Sequence, residues 1–336
     1  MRKGLVFLSL FLIVITLSFA SCGNDTSSPE TDGSTTQSQA PETYTIAYEK
    51  NGGTEDGILA STFTKNDLPL SLNSLSDKDG QVFAGWYKES DFSGEPVLSI
   101  TDAKSITLYA KYETCTPGIL FKEANGGWSV SDYTGTASNV TIPSMYKGKP
   151  VTQIGLLSFS QCENLTGVTI PNSVTKIDSR AFFCCKNLAN ISFPESVITI
   201  GESAFLGCSK LTSIVLPENL TSLGNGAFSE CYNIESVDLG NKINSIGEAT
   251  FKGCSKLARI EIPSSVTYIS CYAFTNCSSL TTIFIPCSVT GMNESVFGGC
   301  TSLTISCEAA SKPNGWAEFW NDAHCPVKWN QQLSEQ

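Results

Sequence analysis

The sequence predicts a mainly β protein, in which a solenoid of stacked coils with short helical or 3-10 turns follows a small β domain. Three observations carry this prediction: a fixed repeat of 23 residues, a proline-ended strand pattern inside each repeat, and an aromatic alternating segment ahead of the repeats. A period between about 20 and 50 residues is typical of solenoids, in which each repeat is one coil that contacts only its neighbours.

Phenylalanine and cysteine mark the repeat most plainly, because both recur every 23 residues without a slip. The phenylalanines are Phe159, Phe182, Phe205, Phe228, Phe251, Phe274 and Phe297. The cysteines follow three residues later, at Cys162, Cys185, Cys208, Cys231, Cys254, Cys277 and Cys300. A coil of this length cannot bury its apolar edge alone, so its stability depends on stacking like side chains on like.

Each repeat also contains one short predicted strand. In one repeat, Ile191 and Phe193 are its alternating apolar pair, and Pro194 ends it. Proline is tolerated there because it lies past the hydrogen-bonded segment. A second apolar pair, Val197 and Ile200, precedes the return to the next phenylalanine. We expect that return to be a turn of helix or 3-10 helix.

The cysteine ladder is interpreted as core packing, with each thiol able to contact a turn carbonyl. Zinc sites use close pairs such as Cys-x-x-Cys, and the sequence has none, so no metal is expected. Thiols that are in register point in parallel, which disfavours disulfides along the ladder. Off the ladder, Cys307 and Cys325 could form a disulfide that closes the C-terminal end. Two buried thiols are the alternative.

The repeat unit resembles the leucine-rich repeat of BspA-like bacterial surface proteins. Its pattern is Leu-x-x-Val-x-Ile-Pro-x-x-Val-x-x-Ile-x-x-x-Ala-Phe-x-x-Cys, and the segment from Leu188 to Cys208 shows it in one piece. The likeness covers about residues 117–330, including a similar start from Trp128 to Gly155 and a similar end from Ser311 to Trp329. The resemblance implies adhesion to host matrix proteins or other cells, and no enzyme activity.

The first 22 residues read as a lipoprotein signal peptide. Arg2 and Lys3 precede a 15-residue apolar run that is too short to span a bilayer. The run ends in Phe-Ala-Ser-Cys, which resembles a lipobox, so Cys22 is the predicted lipidation site. An ordinary signal peptide with a chance cysteine is the alternative. Lipidation would anchor the exported protein to a bacterial membrane, with the outer membrane or the cell surface favoured.

Two segments separate the signal peptide from the solenoid. Residues 23–42 are polar and contain few apolar side chains, which predicts a disordered tether. Residues 43–113 carry aromatic alternating strands such as Val82 to Tyr87. Through Asn51-Gly-Gly, Gly85-Trp-Tyr and Leu108-Tyr-Ala-Lys, they resemble the Listeria–Bacteroides repeat of internalin B. That resemblance implies a β-grasp-like domain. The solenoid is predicted over 114–330, with an N-terminal segment at 114–147 and a C-terminal cap at 307–330.

Composition excludes several classes of function. The formal net charge is −11 and the pI is near 4.7, so the surface repels nucleic acid and anionic membranes. His324 is the only histidine in the sequence, so any histidine-based catalytic site would have to use it. The sequence contains no phosphate-binding glycine loop and no Gly-x-Ser-x-Gly motif. We expect a monomer without enzyme activity and without a cofactor, whose only membrane contact is the lipid.

Binding is predicted on the outward positions of the first strand in each coil. On the early coils these positions hold small hydroxyl side chains, Thr169 and Ser192, and Val215 follows on the next coil. The later coils carry charge and an aromatic ring, which favours a contact surface. The candidate partner-binding residues are Asp238, Arg259, Glu261 and Phe284.

The leading functional hypothesis is a surface lipoprotein whose concave repeat face binds a protein, such as a host matrix or bacterial surface protein. A structural spacer without a specific ligand is one alternative. A carbohydrate-capturing lipoprotein is another, and it would need an aromatic platform, for which Phe284 and Tyr268 are the candidates.

Overall fold

The structure is a computed structural model that describes residues 40–332. The chain divides into two units, Met1–Pro41 and Glu42–Gln336, and all of the elements below belong to the second. The predicted signal peptide, the lipidation site Cys22 and almost all of the tether lie outside the described residues. Over 40–332 the one helix is a 3-10 turn, Lys65–Asp67, and no helix there is long and apolar enough to cross a bilayer.

The N-terminal domain of this unit is a small β fold. Its strands are β1 (Thr43–Glu49), β2 (Thr62–Thr64), β3 (Leu70–Ser71), β4 (Gln81–Tyr87), β5 (Ser99–Ile100) and β6 (Ile106–Thr114). The main sheet has the order β2-β1-β6-β4, with β1 and β6 parallel at its centre. The outer strands β2 and β4 run antiparallel to their neighbours. This is the β-grasp-like arrangement that the resemblance implied, with the 3-10 turn after β2.

Strand β4 is buried on both faces, because it serves two cores. Phe83 and Trp86 pack with Ile46 and Leu108 in the core of the small domain. Val82 instead belongs to the hydrophobic cluster of the solenoid. Strand β4 of the small domain therefore also contributes to the hydrophobic core at the start of the solenoid.

The solenoid consists of twenty short strands, which are separated by turns. They are β7 (Ile119–Ala124), β8 (Gly127–Tyr133), β9 (Asn139–Thr141), β10 (Met145–Tyr146), β11 (Lys149–Ile154), β12 (Gly167–Thr169), β13 (Lys176–Ile177), β14 (Asn190–Ile191), β15 (Thr199–Ile200), β16 (Ser213–Val215), β17 (Ser222–Leu223), β18 (Ser236–Asp238), β19 (Ser245–Ile246), β20 (Arg259–Glu261), β21 (Tyr268–Ile269), β22 (Thr282–Ile285), β23 (Gly291–Met292), β24 (Thr304–Cys307), β25 (Gly315–Trp316) and β26 (Val327–Lys328). Each coil contributes two of them, and β7 and β10 are additional strands that pair antiparallel with β8 and β11.

Two rows of parallel strands run along the solenoid. The first row joins β9, β12 and β14, and then β16, β18, β20, β22, β24 and β26. The second row joins β8, β11, β13, β15 and β17, and then β19, β21, β23 and β25. Equivalent residues of successive coils are partners, as Ile177 is of Ile200. The 23-residue period of the sequence therefore sets which residues pair between neighbouring strands of the sheets.

Each row is interrupted once, at a coil whose sequence departs from the others. In the first row the ladder stops between β14 and β16, beside Phe193, which is larger than the aliphatic residue that most other coils place there. In the second row it stops between β17 and β19, beside Gly240. Gly240 replaces the usual proline and has a φ of +64°, a left-handed value that proline cannot adopt.

The repeated phenylalanines form one continuous stack through the core. Neighbouring rings are 5.1–6.0 Å apart between centroids and within 4–9° of parallel. Tyr133 closes the stack at Phe159, and Trp320 closes it edge-on at Phe297. All seven rings are fully buried. The aromatic stack is therefore the axis of the solenoid core, and the two end residues keep water from its ends.

The cysteine ladder is a row of thiol hydrogen bonds. Six thiols donate to the carbonyl of the phenylalanine one coil earlier, as Cys208 does to Phe182, at Sγ–O distances of 2.9–3.3 Å. These six are buried, whereas Cys162 at the start is half-buried. The predicted contact between a ladder thiol and a turn carbonyl is therefore present for six of the seven cysteines.

The predicted mainly β solenoid is confirmed, and its helical turns are very short. In the coil of Phe205, the N–H of Cys208 donates to the phenylalanine carbonyl at 3.1 Å, a 3-10-type bond. Ser203 and Gly207 flank this turn at φ of 55° and 75°. Left-handed residues on both sides stop the helical dihedrals after one turn, so no coil builds a continuous helix.

Candidate functional site

The candidate residues stand on the outer face of the first row of strands. In β16, β18 and β20 the central residue is buried and the two flanking residues are exposed, as the period of two requires. Two columns of side chains result. One contains Ser213, Ser236, Arg259 and Thr282, and the other contains Val215, Asp238, Glu261 and Phe284.

Six of these eight residues, all but Ser213 and Thr282, line a groove with a volume of about 640 Å³. All four predicted binding residues, Asp238, Arg259, Glu261 and Phe284, line it. Its rim includes Pro263 and Pro286, which end the strands of the later coils. The volume lies within the range of about 300–1,000 Å³ that is common for small ligand sites. The structure therefore brings the predicted stripe together in one concavity.

Two of the carboxylates in the groove are held by backbone N–H groups. Asp238 accepts a hydrogen bond from the N–H of Gly240 at 3.0 Å, through Oδ1. Glu308 accepts one from the N–H of Cys287 at 2.7 Å, through Oε2. Each carboxylate keeps a second oxygen for another partner. These bonds orient the acidic groups before any ligand arrives, which lowers the ordering cost of binding.

Arg259 and Glu261 have no ion pair or side-chain hydrogen bond with any residue of the described range 40–332. With Asp238 and Glu308, they give the groove three carboxylates and one guanidinium. The site is therefore acidic, like the protein as a whole. It also has charged groups that are free to pair with a ligand.

The apolar part of the groove differs from the expectation. Phe284 is half-buried rather than exposed. Val215, in the same column, is 66% exposed and is the more accessible apolar side chain. Sequence reasoning placed Val215 on the outer face but did not select it. The alternation that marks every outward position was the available signal.

Glu308 is a groove residue that the sequence analysis missed. It follows Cys307, the partner of Ile285, and so stands where the preceding coil has Pro286. A glutamate at a position otherwise held by proline or glycine was the signal that could have found it. Thr169 and Ser192, on the early coils, are exposed and lie outside the groove.

The two aromatic residues considered for a carbohydrate platform do not come together. Phe284 lies in β22 of the first row, and Tyr268 lies in β21 of the second row. The ring of Tyr268 covers Gly291, where a Cβ would approach it to 2.5 Å, and its hydroxyl donates to Asn293 at 2.6 Å. The prediction of an aromatic platform formed by this pair is therefore wrong. Carbohydrate stacking would depend on Phe284 alone.

Cys307 and Cys325 are free thiols in the structure, so the disulfide between them is not formed there. Both are buried, which is the alternative that the sequence left open. The Cys325 thiol points to the carbonyl of Cys300 at 3.4 Å and extends the ladder by one rung. Burial raises the pKa of Cys307 to about 12, which keeps it a neutral, unreactive thiol at ordinary pH.

The rest of the described range offers little for metal or acid–base chemistry. Within 40–332, no group of three or more His, Cys, Asp or Glu side chains could hold a metal ion. His324, the single histidine, is exposed and lies outside the groove. The groove itself contains carboxylates and an arginine, which suit recognition by charge.

Comparison with known families agrees with the architecture. The family described as BspA type leucine rich repeat region matches in six copies, over residues 132–239 and 183–304. Together these ranges span 132–304, about half of the chain. The Listeria-Bacteroides repeat domain matches residues 44–111, which is the small β domain. No curated protein matches the chain.

Three solved leucine-rich repeat proteins are similar to this chain. The one from T. pallidum is 24% identical, with 50% of this chain and 90% of that chain covered and a TM-score of 0.43. A leucine rich cell surface protein from Faecalibacterium prausnitzii is 26% identical over 57% and 69%, with a TM-score of 0.42. One from Bacteroides ovatus is 26% identical over 65% and 71%, with a TM-score of 0.43. With its 23-residue register and its six matched repeats, the chain belongs to the BspA-type leucine-rich repeat family.

Proposed function

We propose that this protein is an exported, lipid-anchored surface protein, and that its C-terminal groove binds a protein partner. The observation that carries the proposal is the meeting of Asp238, Arg259, Glu261 and Phe284 in one groove. Leucine-rich repeat proteins commonly use such faces to bind proteins. The partner would be a host matrix protein or a surface protein of another cell, and the protein would act without catalysis.

The composition of the groove supports a protein partner. It combines an aromatic ring, an arginine and carboxylates with apolar side chains such as Val215. Aromatic and arginine side chains are enriched where interfaces are strongest. Arg259 and Glu261 have no partner within 40–332 and would gain one on binding. A carbohydrate ligand is less well supported, because Phe284 is the one aromatic residue that lines the groove and it is half-buried.

In this proposal each segment of the chain has a task. The signal peptide, 1–22, directs export, and the lipid on Cys22 anchors the mature chain to the membrane or cell surface. The tether, 23–42, holds the folded part away from that surface. The small β domain, 43–113, and the solenoid, 114–330, then present the groove to a partner. The lipid is the only membrane contact, and the anchored chain acts as a monomer.

A binding survey tests this function. Purified protein would be presented to immobilised matrix proteins, bacterial surface proteins and glycans, and retention would be measured by surface plasmon resonance. We expect saturable binding to at least one protein, with an association that weakens as salt is raised. Saturable binding to glycans alone would favour carbohydrate capture. Absence of saturable binding to every ligand would favour a structural spacer.

A further inference from the structure

The groove carries a specific order of side chains along the solenoid axis. Within the groove, Val215 and Phe284 stand at the two ends of the second column, and Asp238 and Glu261 lie between them on successive coils. Strands in a sheet are about 4.8 Å apart, so the two apolar ends are roughly 14 Å apart. The column is therefore apolar, acidic, acidic and apolar over a distance that a short peptide can span.

The two central carboxylates have no cationic partner among the described residues, 40–332. Asp238 and Glu261 lie on neighbouring strands, where like charges oppose each other and destabilise the pair. No Lys or Arg side chain of residues 40–332 forms an ion pair with either of them. Arg259, the groove's one guanidinium, belongs to the other column. A cation from a partner would relieve the repulsion between these carboxylates.

The geometry of an extended peptide matches this column. Along a β-strand, residues i, i+2 and i+4 point to one face, and i and i+4 are about 13 Å apart. A peptide that runs along the solenoid axis can therefore place apolar side chains at i and i+4 on Val215 and Phe284. The residue at i+2 then lies over Asp238 and Glu261, where an Arg or Lys would pair with both.

We propose that the groove recognises an extended segment of a partner protein in which an arginine or lysine is flanked, two residues away on each side, by apolar residues. This inference rests on the proposed function and names the chemistry of its partner. The charge of the groove selects the cation, because three carboxylates face it against one arginine. The apolar ends set the spacing, so the order of residues matters as well as the charge.

The test uses full-length protein in a mild non-ionic detergent and labelled pentapeptides. The probe is Leu-Ser-Arg-Ser-Leu, compared with the same peptide that has Gln or Glu at the centre. A fourth peptide, Arg-Ser-Leu-Ser-Leu, has the same composition in another order. Fluorescence anisotropy measures the Kd of each. We expect the probe to bind at least about tenfold more tightly than each of the other three peptides, which corresponds to about 1.4 kcal/mol.

Two matched double variants separate the groove from the general acidity of the protein. Asp238→Asn with Glu261→Gln removes the central charges while it keeps side-chain size and the acceptor for Gly240. Glu202→Gln with Glu248→Gln removes the same charge at two exposed positions outside the groove. We expect the first pair to weaken binding of the probe by about tenfold and the second pair by less than about twofold.

Several outcomes would overturn the inference. Equal weakening by both variant pairs would show non-specific attraction to an acidic surface. Equal affinity for the probe and the reordered peptide, or no binding of any peptide, would also exclude the proposed spacing. If a protein from the binding survey still bound through the groove in those cases, the proposed function would stand and only the chemistry of its partner would be wrong.

Discussion

The carboxylate of Glu113 receives the backbone N–H of Ser144 at 2.7 Å, and the hydroxyl of the same serine donates to it at 2.8 Å. Glu113 is in β6 of the small domain, and Ser144 precedes β10 of the solenoid. The N–H of Lys147 also donates to the carbonyl of Phe83 at 2.7 Å. The small β domain and the first coil therefore share hydrogen bonds as well as the buried side chain of Val82.

This junction gives a first prediction. Glu113→Ala leaves the N–H of Ser144 without its charged acceptor in a partly buried place, so we expect unfolding free energy to fall by about 1.5–3 kcal/mol. Urea unfolding followed by circular dichroism measures it. The control is Glu123→Ala, which breaks an exposed ion pair with Lys149 at 3.5 Å and should cost about 0–1 kcal/mol. Equal losses of unfolding free energy in the two variants would mean that the contact between Glu113 and Ser144 stabilises the protein no more than an exposed ion pair does.

The second prediction concerns the core ladders. Phe228→Ala should lower the unfolding free energy by about 3–5 kcal/mol, because the ring is stacked between Phe205 and Phe251 and its loss leaves a cavity. Cys231→Ala in the same coil should cost on the order of 1 kcal/mol. Thermal and denaturant unfolding compare the two. A larger loss for the cysteine variant, or stoichiometric zinc by metal analysis, would contradict core packing as the role of the ladder.

The third prediction is a loss of stability at alkaline pH. Burial raises the pKa of Cys254 from 9.0 to about 12. Below pH 9 the thiol is protonated in both states, so its contribution is fully present. Between pH 9 and about 12 only the unfolded chain releases the proton, so stability falls as pH rises. Urea unfolding at several pH values should show this fall, and Cys254→Ala should make it shallower.

Thiol labelling provides an independent check of the same burial. Under native conditions, a thiol reagent should modify the exposed Cys287 first and leave Cys231 unmodified until the protein unfolds. Mass spectrometry of the labelled peptides distinguishes the two sites. Rapid labelling of Cys231 in the folded protein would show that the ladder is open to solvent.

The fourth prediction tests the groove against a ligand found in the binding survey. Phe284→Ala with Glu261→Ala should weaken binding at least about tenfold, or 1.4 kcal/mol, because both side chains line the groove. Thr169→Ala with Ser192→Ala changes two exposed positions outside it and should have little effect. Surface plasmon resonance gives both affinities, and circular dichroism verifies folding. Similar losses from both pairs would place the binding site elsewhere.

The fifth prediction concerns the membrane anchor. Cys22→Ser removes the predicted lipid acceptor, so the protein should leave the membrane fraction and should no longer incorporate a fatty-acid probe. Cys287→Ser, which removes another cysteine, should change neither property. Metabolic labelling followed by fractionation measures both. Continued labelling of the Cys22 variant would exclude this residue as the lipidation site.

The repeat made most of the solenoid predictable. Phe205 stacks on its own equivalent one coil away, and the thiol of Cys231 donates to the carbonyl of Phe205, so a period of 23 predicts both the neighbours and the register. The alternation of two likewise separates buried Val237 from exposed Asp238. That is why the outer face, and the four candidate residues on it, could be found without coordinates.

Contacts that do not follow the period could not be predicted in this way. Glu113 and Ser144 belong to different domains, and no repeat relates them. The placing of Phe284 and Tyr268 on separate rows depends on where each coil turns. The concavity that joins Val215 to Glu308 likewise results from the path of several coils together.

The sequence by itself therefore determined the fold class, the length of the coil, the buried ladders and the outward stripe, because all of these depend on periodic contacts between equivalent residues. The tertiary structure decided how the small domain attaches to the solenoid, where the two sheets are interrupted, and how deep the groove is. Those features depend on single residues, such as the large side chain of Phe193, the left-handed backbone of Gly240 and the buried side chain of Val82, whose effects do not repeat along the chain.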